Sequence, residues 1–368
     1  MTNWIKGMDL STLPEVEACG GKFFSGGKQG DAMKILKDHG MNLVRLRLWN
    51  DPYSETGVPY GAGTDDLPRV MEIARRAKNM DVDWMLDLQY SDFWTDPGKQ
   101  IPPKAWADMT PSQLEQAVYD YTKAVLIVLR ESRLTPALVS VGNELSCGLL
   151  WPSGQYPQFH HIARYLSAGI RAVREIAPGV PVMIHLDNGC RNELFHDWLD
   201  QYFANGGADF EYIGMSYYPF WHGQMEQLKK NLNDLASSYG KDMIVTETAS
   251  GFSLQDYQEY EKLPADKRVG PAANPDTLKD VPYEVTPEGQ CQFIRDLTDV
   301  LRQVPGGHGK GYVYWEPAWL PVPGSQWADE AGLAYMKETK KGGNEWANQC
   351  LFDYDGHALP ALKVIRDY

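Results

Sequence analysis

Short apolar runs recur along this 368-residue chain every 30 to 60 residues or so, with amphipathic helical stretches between them, which is the pattern of repeated parallel βα units. Eight runs read as strands, at 5–10, 43–49, 84–90, 138–144, 180–187, 212–218, 243–247 and 311–316. Helices are predicted over 31–38, 67–80, 111–130, 159–176, 193–203, 225–239 and 288–304. Thr110-Pro111 and Thr286-Pro287 place a capping hydroxyl before a first-turn proline, while Gly40 and Gly240 follow helices as stops. Eight such units close on themselves. The fold class is therefore α/β, a single (β/α)8 TIM barrel spanning 1–368, with long loops after strands 7 and 8 at 248–287 and 317–360. Both loops leave strand C-termini, so both should shape the cleft on that face.

Charge narrows the partners. With 35 basic and 49 acidic residues the net charge is −14, which disfavours nucleic acid, anionic membranes and polyanionic polysaccharides and suits a neutral ligand. The 12 Trp and 20 Tyr suit a sugar, whose apolar ring faces stack on aromatic planes, although most aromatics in any chain are simply core. The longest apolar stretches, such as 124–129, are too short to cross a bilayer. Five widely spread cysteines without a Cys-x-x-Cys pair read as reduced thiols. The N-terminal residues lack the apolar region of a secretory signal and no Asn-x-Ser/Thr sequon occurs, so a cytoplasmic location is expected, although a secreted chain trimmed of its signal would look the same.

Polar and aromatic residues gather at the C-terminal ends of the predicted strands: Asp9, Arg45, Arg47, Asp51, Asp92, Asn143, Glu144, His185, Asp187, Tyr217, Glu247, Trp315 and Glu316. A carboxylate there often caps a helix or pairs with an arginine. Glu144 and Glu247 ask for more, because each ends a β-branched apolar run, where a lone carboxylate is expensive to bury. Two carboxylates at the ends of separate strands are the equipment of glycoside hydrolysis. Asn143 sets a neutral amide beside Glu144, and a neighbouring Glu247 charge would help keep Glu144 protonated as an acid must be. Arg45 and Arg47 lie on one strand face, and either could hold Glu247 ionised.

Longer strings make the pattern specific. The segments 44–52 (VRLRLWNDP), 90–97 (YSDFWTDP), 216–223 (SYYPFWHG) and 314–319 (YWEPAW), together with Asn-Glu ending the fourth strand and Glu ending the seventh, resemble the endo-β-1,4-galactanases of glycoside hydrolase family 53, retaining enzymes of clan A. The resemblance runs over nearly the whole chain. It implies that Glu144 is the acid/base and Glu247 the nucleophile, acting with retention on β-1,4-linked galacto-oligosaccharide or galactan, the side chains of pectin. It further implies that Arg45 and Tyr217 support the nucleophile, that Asn143 contacts the sugar 2-hydroxyl, and that Trp315 floors the cleaved subsite. Asp92, Trp94 and Trp319 fall inside the matching strings, and His185 and His222 lie at or just past strand ends; these five are further binding or supporting candidates.

Two departures from the family stand out. Members usually carry His-Tyr-Ser-Asp after the third strand, where this chain has Gln89-Tyr90-Ser91-Asp92 and so loses a titratable neighbour. Bacterial relatives carry a Gly- and Asp-rich calcium loop after the seventh strand, and 248–287 has no such run, so calcium is doubtful and no cofactor is expected. The glycine-rich 306–311 precedes a strand and reads as a turn, and His160-His161 lacks metal-ligand spacing. The alternatives are another clan A β-glycanase, a mannanase or glucanase, or a catalytically weak oligogalactoside-binding barrel supported by the loss at Gln89.

Overall fold

A computed structural model of the chain describes residues 4–255 and 270–368. All eight expected strands are present and pair in sequence order as a closed parallel barrel: Ile5–Asp9, Leu43–Leu48, Asp83–Leu88, Leu138–Val141, Val182–Leu186, Tyr212–Ser216, Asp242–Thr248 and Gly309–Tyr314. They are called strands one to eight below. Strand four ends earlier than the sequence suggests, leaving Asn143 and Glu144 in the turn beyond it.

The helices that follow the strands are Ala32–Asp38, Leu67–Asn79, Pro111–Glu131, Phe159–Ile176, Asn192–Ala204, Met225–Tyr239, Pro287–Arg302 and Pro360–Asp367. Their ends use the expected chemistry: Thr286 Oγ1 accepts from Gly289 N at 3.1 Å, and Gly240 closes its helix with a positive φ of 61°. Among the described residues no helix is long and apolar enough to cross a membrane, and the five cysteines are free thiols.

Strand alternation divides the core in two. Ile5, Leu43, Met85, Leu138, Met183, Ile244 and Val313 plug the barrel interior, while residues of opposite parity pack outward under the helices. Two residues above the plug, apolar side chains give way to Arg45, Asp87 and His185, and Asp9 of strand one pairs in register with Arg45; all four are completely buried. The barrel thus carries an apolar base and a charged upper layer, opening at the strand C-termini.

The loop after strand eight builds much of the rim and contains a short helix, Glu330–Met336, that the sequence reading does not contain. The connection 248–287 lies partly outside the described residues, and the expectation about a calcium loop falls there.

Candidate active site

Glu144 stands in a turn that two side chains hold. Gln100 Nε2 donates to the Asn143 carbonyl at 2.8 Å, Trp198 Nε1 donates to the Leu145 carbonyl at 2.8 Å, and Glu144 itself takes a left-handed backbone, φ 48°. Such a backbone is unfavourable for a side chain with a Cβ and is maintained by its surroundings. It aims the carboxyl into the barrel mouth, where Ser216 Oγ lies 2.6 Å from Oε1.

Glu247 reaches the same mouth through an irregularity. Strands six and seven pair Met215 with Val245 but Ser216 with Glu247, so strand seven carries one extra residue at Thr246. By simple alternation Glu247 would share the outward parity of Val245; the bulge turns it inward. Its Oε1 meets Arg45 Nη2 at 2.8 Å, and Tyr218 Oη donates to Oε2 at 3.1 Å. One carboxylate oxygen each from Glu144 and Glu247 lies within 4.8 Å of the other.

The two carboxyls are electrostatically unequal. Burial, then the charges of Glu247 and Asp187, pushes Glu144 well above the ordinary glutamate range. Burial also raises Glu247, with Asp87 and Asp9 adding to it, but the Arg45 ion pair and the Tyr218 hydrogen bond oppose the rise. A single proton shared by the pair therefore resides on Glu144. Tyr218 stays protonated, since burial and then the Glu247 charge raise its phenol well above its usual range.

Arg45 organises the layer below. Besides Glu247 it reaches Asp9 and Asp87 at 2.8 Å each and Asn143 Oδ1 at 2.9 Å. Asn143 Nδ2 donates to the Thr95 carbonyl at 3.0 Å, and His185 Nδ1 lies 2.9 Å from Asn143 Oδ1. Arg47 serves another cluster, pairing with Glu316 at 2.7 Å, Asp9 at 3.1 Å and Asp65 at 3.2 Å, and its guanidinium backs the Trp94 ring at 4.6 Å. Of the two arginines, Arg45 touches Glu247.

Above the carboxyls opens a cavity of about 350 Å³ walled by indoles: Trp94, Trp315, Trp319 and Trp327 on one side, Trp221 and Trp346 near Tyr218. Trp315 and Trp346 meet edge to face at 4.6 Å, which fixes both planes. The walls from Trp319 to Trp346 come from the loop after strand eight, as its position past a strand C-terminus leads one to expect.

Several expected site residues lie elsewhere. The Tyr217 backbone N–H donates to the Glu247 carbonyl at 2.8 Å, but its side chain is directed away from the Glu247 carboxyl: it shares the outward parity of Met215, donates to the Gly223 carbonyl at 3.1 Å and stacks on Phe293. Tyr218 makes the contact instead, because it shares the inward parity of Ser216, a signal that strand alternation carries. Asp92 accepts from the backbone of Asp51 and Lys104 and pairs with Lys104 Nζ at 2.9 Å, bracing two loops under the rim. His222 Nδ1 lies 3.0 Å from the Ser216 carbonyl inside the turn after strand six. Gln89 lies on the cavity wall, with Oε1 accepting from Trp49 Nε1 at 2.8 Å and Nε2 donating to Asp87 at 3.2 Å.

Glu144, His185 and Glu247 are close enough to share a metal ion. Their partners disfavour it: both His185 nitrogens have neighbours at 2.9 Å, and the Arg45 guanidinium already occupies Glu247 Oε1. The set is better suited to moving one proton between two carboxyls of unequal affinity.

The sequence profile of glycosyl hydrolase family 53 matches residues 5–365. The chain is 32% identical to an endo-β-1,4-galactanase of Bacillus subtilis over 99% of this chain and 86% of that one. It is 33% identical to an arabinogalactan endo-β-1,4-galactanase of Cellvibrio japonicus over 100% and 92%. Among solved structures, a family 53 catalytic domain from Ignisphaera aggregans superposes with a TM-score of 0.90 at 36% identity, covering 99% of this chain and 96% of that one.

Proposed function

The chain belongs to glycosyl hydrolase family 53, and on that premise we infer that it is an arabinogalactan endo-β-1,4-galactanase whose reaction runs through Glu144 and Glu247. The observation that carries the residue assignment is the unequal treatment of two carboxyls that lie within reach of one sugar: Arg45 and Tyr218 hold the Glu247 carboxyl, while the Glu144 carboxyl meets the hydroxyl of Ser216. Retaining glycosidases place their carboxyls about 5 to 5.5 Å apart, close enough for direct attack and too close to admit a water between. The oxygen approach within 4.8 Å supports that geometry.

In the first step Glu144 gives its proton to the glycosidic oxygen as Glu247 attacks the anomeric carbon, breaking the bond to the leaving sugar and forming a galactosyl ester. In the second, the Glu144 carboxylate takes a proton from water, whose oxygen attacks the same carbon and expels Glu247. Two inversions give net retention. Arg45 and Tyr218 stabilise the Glu247 carboxylate, and Asn143, held by Arg45 and Thr95, supplies a fixed amide beside the cleaved sugar. Trp94 and Trp315 offer planes for sugar faces, and the buried Trp319 packs against Trp315. No step calls on a cofactor. A mannanase or glucanase is disfavoured by the full-length likeness to galactanases, and a weak binding barrel by the complete pair of carboxyls with their arginine.

The test is hydrolysis of β-1,4-galactan, with mannan and cellulosic polymers as controls, by the natural chain beside Glu144→Gln and Glu247→Gln. Galactan should be cut and each substitution should reduce kcat by about 10³-fold or more. The first product, followed by proton NMR, should be the β anomer. Galactan left intact by the natural chain, or an α anomer, would overturn the reading.

A further inference from the structure

Ser216 Oγ touches two groups that compete for its single hydrogen. It lies 2.6 Å from Glu144 Oε1 and 2.9 Å from His185 Nε2. Which way that hydrogen points is decided several bonds away. Asn143 cannot flip: its oxygen faces the Arg45 guanidinium, which only donates, and its nitrogen faces the Thr95 carbonyl, which only accepts. The amide oxygen therefore also faces His185 Nδ1 at 2.9 Å, so Nδ1 must carry the ring hydrogen. A neutral His185 is left with Nε2 bare.

We propose that His185, through Ser216, is a positioning residue that biases Glu144 toward its protonated, acidic state. With Nε2 bare, Ser216 donates to His185 and its oxygen accepts from Glu144, so all three groups are satisfied only when the carboxyl holds its proton. When Glu144 surrenders that proton to the leaving sugar, Ser216 turns to donate to the new carboxylate and His185 Nε2 is left buried without a donor. That unpaired nitrogen is costly in a fully buried ring. Protonating His185 could restore the bond, but burial and then the Arg45 charge beside it oppose an imidazolium. The relay therefore resists loss of the Glu144 proton, and the second step, in which water returns a proton to Glu144, restores the satisfied arrangement. One hydroxyl serves both half-reactions by reversing its donor sense.

Other titratable groups face Glu144 as well: Glu247 from strand seven, Asp187 after strand five, Asp96 from the loop after strand three, and the neutral phenol of Tyr218 after strand six, with Arg45 of strand two acting through Glu247. These are unchanged by a substitution at His185, which makes the relay separable. The proposal rests on Glu144 being the acid, so its test has one arm that needs no catalysis. Neutron diffraction from a deuterium-exchanged crystal at mildly acidic pH should show deuterium on His185 Nδ1, none on Nε2, and the Ser216 deuterium directed at His185. Deuterium on Nε2 would overturn the proposal whatever the enzyme hydrolyses.

The second arm is the pH profile of kcat/KM on β-1,4-galactan. A glutamine amide can donate to Ser216 as readily as accept, so His185→Gln should move the alkaline limb to lower pH, cutting the alkaline rate about tenfold while the acid-side rate stays within about twofold. Adding Ser216→Ala should abolish the effect of His185→Gln, since the hydroxyl carries it. A uniform loss at every pH, or the same shift in the Ser216→Ala background, would overturn the relay.

Discussion

Arg45 Nη2 stands 2.8 Å from Glu247 Oε1, and the guanidinium making that contact is completely buried. The same fork also reaches Asp9, Asp87 and Asn143. A lysine ammonium is a point charge on a different stem and cannot span four partners. Arg45→Lys is therefore expected to leave buried carboxylates unpaired, at a cost of about 3 to 5 kcal/mol in stability. It should also move the acid limb of kcat/KM to higher pH, because the charge that opposes protonation of Glu247 is weakened. Thermal denaturation and the pH-rate profile check the two parts separately, and an unchanged melting temperature would count against this account of the layer.

Tyr217 and Tyr218 are adjacent in sequence and opposite in expected effect. Tyr218→Phe removes the donor to Glu247 Oε2, and kcat should fall about 10- to 100-fold on galactan. Tyr217→Phe removes only a bond to the Gly223 carbonyl, so kcat should hold while stability drops by about 1 kcal/mol. A loss of activity in Tyr217→Phe with none in Tyr218→Phe would reverse the assignment.

The tyrosines also mark what was legible in the sequence. All eight strands were readable because a closed parallel barrel buries both strand faces, so the strands are rich in apolar residues, interrupted on the inward face by groups such as Arg45, Arg47 and Asp87. Glu144 and Glu247 were readable as runs ending in charge. Their directions were not. Glu247 points inward only because of the extra residue at Thr246, and Glu144 only because of its left-handed backbone. Such irregularities are chosen by the neighbouring strands and leave no local pattern. Tyr218 was different: its parity with Ser216 was available, and family resemblance pointed one residue away. The relay through Ser216 and His185 needed three strands and two loops in register.

Glu316 makes the fold itself sensitive to pH. Burial raises its carboxyl to about 8 despite the ion pair with Arg47. A carboxyl raised in the folded state binds its proton more tightly there than in the unfolded chain, so between the unfolded value of about 4.5 and about 8 the folded form holds more protons. Stability contributed by this group is present below that window and declines as pH rises through it. Glu316→Gln keeps a neutral group of the same shape, accepting from Arg47 and donating to Thr12. The melting temperature of the variant should vary less between mildly acidic and mildly alkaline pH than that of the natural chain. An equally steep decline in both would assign the proton elsewhere, Asp65 being the neighbouring buried acid.

Gln89 fills its place by accepting from Trp49 Nε1 on one side and donating to Asp87 on the other. A neutral imidazole offers the same pair, one bare nitrogen and one N–H, so Gln89→His should fold and retain activity at neutral pH. A protonated imidazole has two donors and would have to abandon the Trp49 N–H, leaving it buried without an acceptor. It would also set a second positive charge near Asp87, which Arg45 already neutralises at 2.8 Å. Acidification should therefore disturb the site in the variant through a group that the natural chain does not possess. The acid limb of kcat/KM on galactan is expected to lie at higher pH in Gln89→His than in the natural chain, with the alkaline limb unmoved. Coincident acid limbs would mean that the introduced imidazole stays neutral throughout and that the glutamine does not widen the working range toward low pH.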